Sequence, residues 1–336
     1  MDANTSKIGV LLANTGSPAA PTAPAVREYL KEFLSNPRIV PINPILWWII
    51  LRLFVLPKRG EASAEKYRAI WTDEGSPLLV NADNLAAALQ ELYRSQGLPI
   101  TVKAAMSIGE PSIREAIAEF RAEGINRLVS IPLYPQSAFS TCKIAEDAIR
   151  ATLKQMGWRP FIRYISGYSD NPLYVKAIAN AVLAAGFKPG STDKLIYSFH
   201  SVPLNDIERG DTYELQVGSS CLAISNELKI ERRQWTIAYQ CRFDSTRTWL
   251  SPFTQDVLAR EARLEPHRVF IVCPNFSLDC LETLYDIEHM LKPGYMRQLS
   301  LNGYDADESS FIYVPCLNDS PQHVRLIADL VARTIM

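Results

Sequence analysis

The stretch VFIVCPNFSLDCLETLYDIEHM, residues 269–290, runs from four consecutive apolar side chains through a Pro-Asn break into an acidic segment. Val269 to Val272 reads as a strand buried on both faces, because a strand with water on one side would alternate polar and apolar residues. Pro274 and Asn275 end it, and the segment beyond reads as a helix. At about 100° per residue, Asp279, Glu282, Asp286 and His289 fall on one helical face. Three carboxylates and an imidazole do not suit a core, and in open parallel sheets the carboxyl ends of the strands are where ligands bind. The competing readings are a solvated acidic face and a helix start that takes Asp279 for its dipole. A second apolar strand, Leu195 to Phe199, is closed by His200 and followed at once by the turn Ser201-Val202-Pro203.

Outward from these two strand ends, strand and helix patterns alternate along the whole chain. Strands are expected at Lys7–Asn14, Thr101–Met106, Arg127–Leu133 and Phe161–Ile165, then at Lys194–Phe199, Trp235–Gln240, Arg268–Cys273 and Ser310–Val314. Helical spacing fills most of the intervals, and Ser320 and Pro321 supply a cap and a first-turn proline for a last helix. This rhythm specifies an α/β protein with parallel sheets covered on both faces, twice over, joined near Ile165 to Asn171. A two-lobed α/β chain ordinarily keeps its site in the cleft between lobes, so His200 and Glu282 are expected to face one cleft. His267 and His323, beside loop prolines, are expected at the surface.

The chain has 336 residues, 47% of them apolar, and a formal net charge of -1. That balance excludes a general nucleic-acid binder, which needs a basic surplus. The six cysteines show no CxxC spacing and fit free thiols in a reducing compartment. The start MDANTSK has neither a basic region nor an apolar core of a signal peptide, so a cytoplasmic location is expected. Between Pro44 and Pro57 lies ILWWIILRLFVL, too short to span a bilayer. It fits a buried core helix, or a lip in which Trp47 and Trp48, with Arg52, Lys58 and Arg59 nearby, meet a membrane interface.

Several chemistries are excluded by missing motifs: there is no GxGxxG, no GxxxxGK[ST], no HExxH and no nucleophile elbow. An imidazole near carboxylates suits a borderline divalent metal such as Fe2+, or a base–acid pair.

LLANTGSP, VREYLKEFLSNPRIV, EKYRAIWTDEGSPL, IPLYPQ, SFHSVP, QCRF with WLSPFT, LDCLETLYDI and YVPCLNDSP occur in this order over nearly the whole chain. The set resembles the ferrochelatases, which insert Fe2+ into a porphyrin in haem synthesis. The resemblance implies two Rossmann-like lobes of chelatase type. Residues 6–166 would form the first lobe with the hydrophobic lip. Residues 167–319 would form the second, carrying His200 and the acidic helix, and 320–336 a terminal helix returning to the first lobe. It also implies that the acidic segment is a π-helix. By matched motif, His200 and Glu282 are the catalytic residues and, with Asp286 and Asp279, the groups that hold metal. Thr15, Lys58, Arg59, Ser76, Trp249 and Phe276 match porphyrin contacts. Iron is then a substrate, no resident cofactor or iron–sulfur cluster is expected, and the partners are porphyrin and ferrous iron. A monomer is expected, with a dimer as the alternative, and peripheral contact with the inner face of a membrane. The chain departs from the family's pattern at Thr15, Ser107, Ile108, Ser137 and Asp244, mostly where the porphyrin edge is expected, which bears on tetrapyrrole choice and rate. Two alternatives remain beside this reading: a related chelatase for another metal or tetrapyrrole, and a non-catalytic porphyrin or haem carrier.

Overall fold

The first strand, β1 (Ile8–Asn14), is buried at every position, as the centre of a parallel sheet with helices on both faces requires. A computed structural model describes residues 7–240, 242, 244–265 and 267–335; Cys241 and Phe243 of the QCRF motif lie outside the described residues. The chain divides into two compact units. One comprises Met1–Tyr134 (described from residue 7), Phe139–Gly167 and Asp319–Met336, the other Pro135–Ala138 and Tyr168–Asn318.

In the first unit β1 is joined by β2 (Ile100–Met106), β3 (Arg127–Pro132) and β4 (Phe161–Tyr164), in the order β2-β1-β3-β4 with every pair parallel. Its helices are α1 (Ala23–Ser35), α2 (Pro44–Ile50), α3 (Leu56–Ile70), α4 (Pro77–Ser95), α5 (Ile113–Ala122) and α6 (Cys142–Gln155). One core packs Leu11, Ile117, Phe120, Leu128 and Ile149 between the sheet and α5 and α6. Helix α5 starts at a reciprocal Ser112–Glu115 cap, which satisfies two otherwise orphaned amides.

The second unit repeats the plan with β5 (Lys194–Phe199), β6 (Trp235–Tyr239), β7 (Val269–Val272) and β8 (Phe311–Val314), all parallel in the order β6-β5-β7-β8. Around it lie α7 (Pro172–Ala184), α8 (Leu204–Glu208), α9 (Tyr213–Glu227), α10 (Thr254–Glu261), α11 (Leu281–Tyr285) and α12 (Lys292–Leu301). Ile196, Ile271, Val257, Tyr295, Leu299 and Phe311 form its core. The last helix, α13 (Pro321–Ile335), belongs to the first unit and packs on α4, with the Ser320 hydroxyl accepting from the His323 amide at 3.3 Å.

Three expectations are corrected here. His323 is wholly buried on the inward face of α13; the nearby proline marks a helix start, and the side chain points inward. His267 is likewise sheltered, its Nε2 3.4 Å from the buried Glu261 carboxylate and its Nδ1 2.8 Å from the Glu265 carbonyl. The Glu261 contact raises the imidazole's pKa against the opposing effect of burial. The run Ile45–Leu56 is no core helix: Ile45, Leu46, Trp48, Ile49, Leu53 and Phe54 are exposed, Trp47, Ile50 and Val55 are half-buried, and only Leu51 and Leu56 are buried. Nor does Pro57 end it. A π-turn at Leu51–Val55 joins α2 to α3, and Pro57, with no N–H to give, sits in the first turn after this change of ladder, where a helix tolerates proline.

Beyond β1, Ser107 N donates to the Asn14 carbonyl at 2.8 Å and Ile108 N to the Thr15 carbonyl at 2.9 Å, prolonging the β1–β2 pairing. Ile108, expected at a ligand edge, is therefore drawn into the fold and 2% exposed. Gly16 stands here at φ +127°, and a Cβ on it would lie 1.9 Å from the Ile108 carbonyl oxygen. Gly16→Ala should cost about 3 kcal/mol or more, combining backbone strain with a clash against main chain. Denaturant unfolding of the two proteins checks this, and an unchanged midpoint would rule the close approach out.

Candidate active site

His200 follows directly on β5, whose last residue, Phe199, is fully buried. Its Nδ1 lies 2.7 Å from the Ser201 carbonyl oxygen. A carbonyl only accepts, so Nδ1 carries the proton, and in the neutral ring the lone pair is on Nε2. The backbone around it is clamped. Tyr213 donates its hydroxyl to the His200 carbonyl at 2.9 Å and Ser201 donates to the Leu250 carbonyl at 2.9 Å. Leu250 N reaches the Val202 carbonyl at 3.0 Å and Leu204 N the Thr248 carbonyl at 2.9 Å. The half-buried imidazole thus stands on a loop fixed from both sides.

The partner loop is organised by Asp244. Its Oδ1 accepts from Thr246 N, Thr246 Oγ1 and Arg247 N, and its Oδ2 from Arg247 Nε at 2.8 Å. Partial burial would push this carboxyl up, but the Arg247 and Thr246 hydrogen bonds outweigh it and bring the pKa down to about 2. The Asp244 carbonyl accepts the Trp249 indole N–H at 3.0 Å, and the Arg247 guanidinium lies 4.7 Å from that ring's centre. Trp249, expected at the macrocycle, is consequently buried.

Beyond β7, the Pro-Asn break leads to a helix that begins at Leu281. Asp279 precedes it and cannot share its face. From Asp286 to Leu291 the helix is π, so the 100° wheel does not apply to Asp286 and His289 either. Asp279 is buried with Oδ1 accepting from Thr283 Oγ1 at 2.9 Å and Tyr313 Oη at 2.6 Å, and Oδ2 from Asn318 Nδ2 at 2.7 Å. The Cys280 thiol caps α11 and lies 3.1 Å from Glu282 Oε2. Burial, then the Glu282 charge, keep this thiol well above its usual pKa. Glu282 and Asp286 are half-buried, and Tyr285 stacks on His289 with centroids 5.2 Å apart. Gln240, at the end of β6, donates to the Glu282 carbonyl at 3.3 Å and to Cys273 Sγ at 3.6 Å. Gln240, Thr283, Tyr313 and Asn318 were not singled out from sequence. Each sits inside a quoted motif, which was the available signal. Phe276 is half-buried against the second core.

In the first unit, Thr15 shares a short hydroxyl–hydroxyl contact with Tyr134, and its amide reaches Asn14 Oδ1 at 2.7 Å. Ser76 is buried with its hydroxyl 2.7 Å from that of Ser17. Lys58 and Arg59 are exposed on α3. Ser137 belongs to the second unit, where its N–H donates to Gln216 Oε1 at 2.9 Å. Among the described residues no three His, Cys, Asp or Glu side chains are gathered as a metal site.

A family profile described as ferrochelatase matches residues 7–335. The chain belongs to the ferrochelatase family. Relatives include a ferrochelatase of Aromatoleum aromaticum, 38% identical over 330 residues covering 98% of this chain and 88% of that one. Another, from Hamiltonella defensa, is 39% identical over 97% of this chain and 98% of its own. The fold is also that of SirB from Bacillus subtilis with Fe3+, at 14% identity and a TM-score of 0.54, covering 77% of this chain and 92% of that one. The sirohydrochlorin chelatase SirB from Bacillus subtilis subspecies spizizenii in complex with cobalt matches with a TM-score of 0.52 at 14% identity, covering 98% of this chain and 95% of that one. As a ferrochelatase the chain is an enzyme, a metal chelatase acting on iron and a porphyrin.

Asp244→Ala should destabilise the ferrochelatase by about 1–2 kcal/mol, freeing Arg247 and the Trp249 indole. A carboxyl depressed to about 2 from 3.8 contributes fully above pH about 4 and loses that contribution as pH falls toward about 2. Unfolding curves from pH 6 down to 2 should therefore show a slope in the parent that the variant lacks, and parallel curves would contradict the assignment.

Proposed function

We propose that the enzyme inserts ferrous iron into protoporphyrin IX in the cytoplasm at a membrane surface, with His200 taking the pyrrole protons. Insertion replaces two pyrrole N–H protons by Fe2+, so porphyrin plus Fe2+ gives haem and two protons. The observation that carries the reading is the Nδ1–Ser201 bond, which leaves the Nε2 lone pair to accept a proton. An imidazole is a base near neutrality, and once protonated it must pass the proton on before the second can leave. Glu282 and Asp286 on the acidic helix are the carboxylates proposed to guide the metal and carry protons toward solvent. Asp279 carries three donors on its two oxygens; as a metal ligand it would have to use the lone pair left over.

Trp249 and Phe276 are proposed as walls for the macrocycle, and Lys58 and Arg59 as cations for its propionates. Thr15 and Ser76 are proposed as polar contacts. Ser76 would reach a ligand only by leaving Ser17. The exposed apolar side chains of α2 and the π-turn, with Arg52 4.3 Å above the Trp48 ring, suit an interfacial lip. Among the described residues no helix is long and apolar enough to cross a membrane. Such a lip favours delivery of an apolar dicarboxylate porphyrin over a more soluble tetracarboxylate one.

His200→Ala should lower kcat by about 100-fold or more while porphyrin binding, read by absorbance titration, persists. Parental turnover in that variant would remove His200 from the reaction. Binding without turnover in the parent, given reduced iron, would instead leave a carrier.

Trp48→Asp with Phe54→Asp should reduce liposome co-sedimentation and protoporphyrin use, leaving a tetracarboxylate porphyrin less affected. Trp47 is spared because its indole N–H is bound to the Leu34 carbonyl at 2.7 Å. Undiminished liposome binding would refute the lip.

A further inference from the structure

We infer that Cys280 is a positioning residue for metal insertion, its S–H holding the Glu282 carboxylate in its working place. The inference rests on the reading of Glu282 as catalytic. The Sγ–Oε2 separation is 3.1 Å, and of the two groups only the thiol has a proton to give to an ionised carboxylate. Among the described residues it is the one donor to that carboxylate, and Oε1 is left open. A glutamate at a helix start otherwise has three side-chain torsions to explore, and a hydrogen bond to one of its oxygens narrows that range.

The thiol can do this because it is itself immobile. Cys280 N donates to Thr283 Oγ1 at 2.9 Å, the thiol accepts from the Thr283 amide, and the Cys280 carbonyl accepts from Leu284 N at 2.9 Å. The residue is 7% exposed. Sulfur is an unusual N-cap, since serine, threonine, aspartate and asparagine cap more strongly. A capping role alone does not account for a thiol aimed at the one carboxylate of this helix's first turn.

The test is a double-variant cycle on the full-length enzyme, with kcat and porphyrin KM read for Cys280→Ala, Cys280→Ser, Glu282→Gln and Cys280→Ala with Glu282→Gln. Cys280→Ala should lower kcat about three- to tenfold with porphyrin KM unchanged. Cys280→Ser, which keeps a donor, should stay within about twofold of the parent. On the Glu282→Gln background, Cys280→Ala should cause no further loss. An unchanged kcat in Cys280→Ala, or an equal loss on both backgrounds, overturns the inference while leaving Glu282 in place. Parental turnover in Glu282→Gln overturns the reading of Glu282 itself. A second measurement needs no alanine variant: the infrared S–H stretch of Cys280, assigned by its disappearance in Cys280→Ser. It should move to higher frequency in Glu282→Gln, as the acceptor weakens, and an unmoved band overturns the inference.

Discussion

A carboxylate buried as Asp279 is must be surrounded by donors, because an unpaired charge at that depth is too costly to keep. Its three come from different places: Thr283 on α11, Tyr313 on β8, and Asn318 on the segment after β8. Asn318 also accepts from the Asp279 amide at 2.8 Å. One charge therefore ties the start of the acidic helix to the end of the neighbouring strand. Glu282 lies one residue before Thr283, so its main chain is placed by the same bonds. Burial pushes the Tyr313 phenol well above its ordinary pKa, and the negative neighbourhood adds to this; it stays a donor throughout the range in which the enzyme works.

Both helices that carry candidate function contain a π-turn, at Leu51–Val55 and at Asp286–Leu291. A π-turn inserts one residue into the ladder and rotates everything beyond it, so side chains on either side no longer follow one 3.6-residue wheel. In the lip, the turn sets Leu53 and Phe54 outward while Leu51 and Leu56 stay inside. In the acidic helix it separates the placing of Glu282, in the α-helical first turn, from that of Asp286, which opens the π segment. Each carboxylate is aimed by a different piece of backbone.

These differences mark what sequence could and could not convey. Buried parallel strands announce themselves as apolar runs, and Lys194–Phe199 was read with its final boundaries. His200 stands out in the sequence because a strand end in a parallel sheet is a known place for ligands, and the ordered motifs named the family. The helix α3 was not read, since EASAEKYRAI offers few apolar residues and follows a proline that ordinarily stops a helix. His323 escaped because one imidazole on an amphipathic helix gives no local sign of facing inward. The Asp279 cluster joins residues 34 and 39 positions apart, and nothing in a one-dimensional pattern states that pairing. A wheel drawn over residues 279–289 failed for two separate physical reasons, a later helix start and a change of ladder.

The order in which the acidic segment is held follows from counting protons. Thr283 has one hydroxyl hydrogen and two acceptors in reach, Asp279 Oδ1 at 2.9 Å and the Cys280 carbonyl at 3.2 Å. A bond to a charged acceptor is the stronger and here the shorter, so the hydrogen goes to Asp279, and the Thr283 oxygen is left with its lone pairs for the Cys280 amide. The Thr283 amide in turn meets the Cys280 sulfur, whose own hydrogen remains for Glu282. Every donor in this run has an acceptor, and the direction is set at the buried end, by the one group that can only accept. The carboxylate nearest the proposed chemistry is thus the last member of a chain whose first member is wholly structural. A change at Asp279 would be felt at Glu282 even if Asp279 never touches metal or porphyrin.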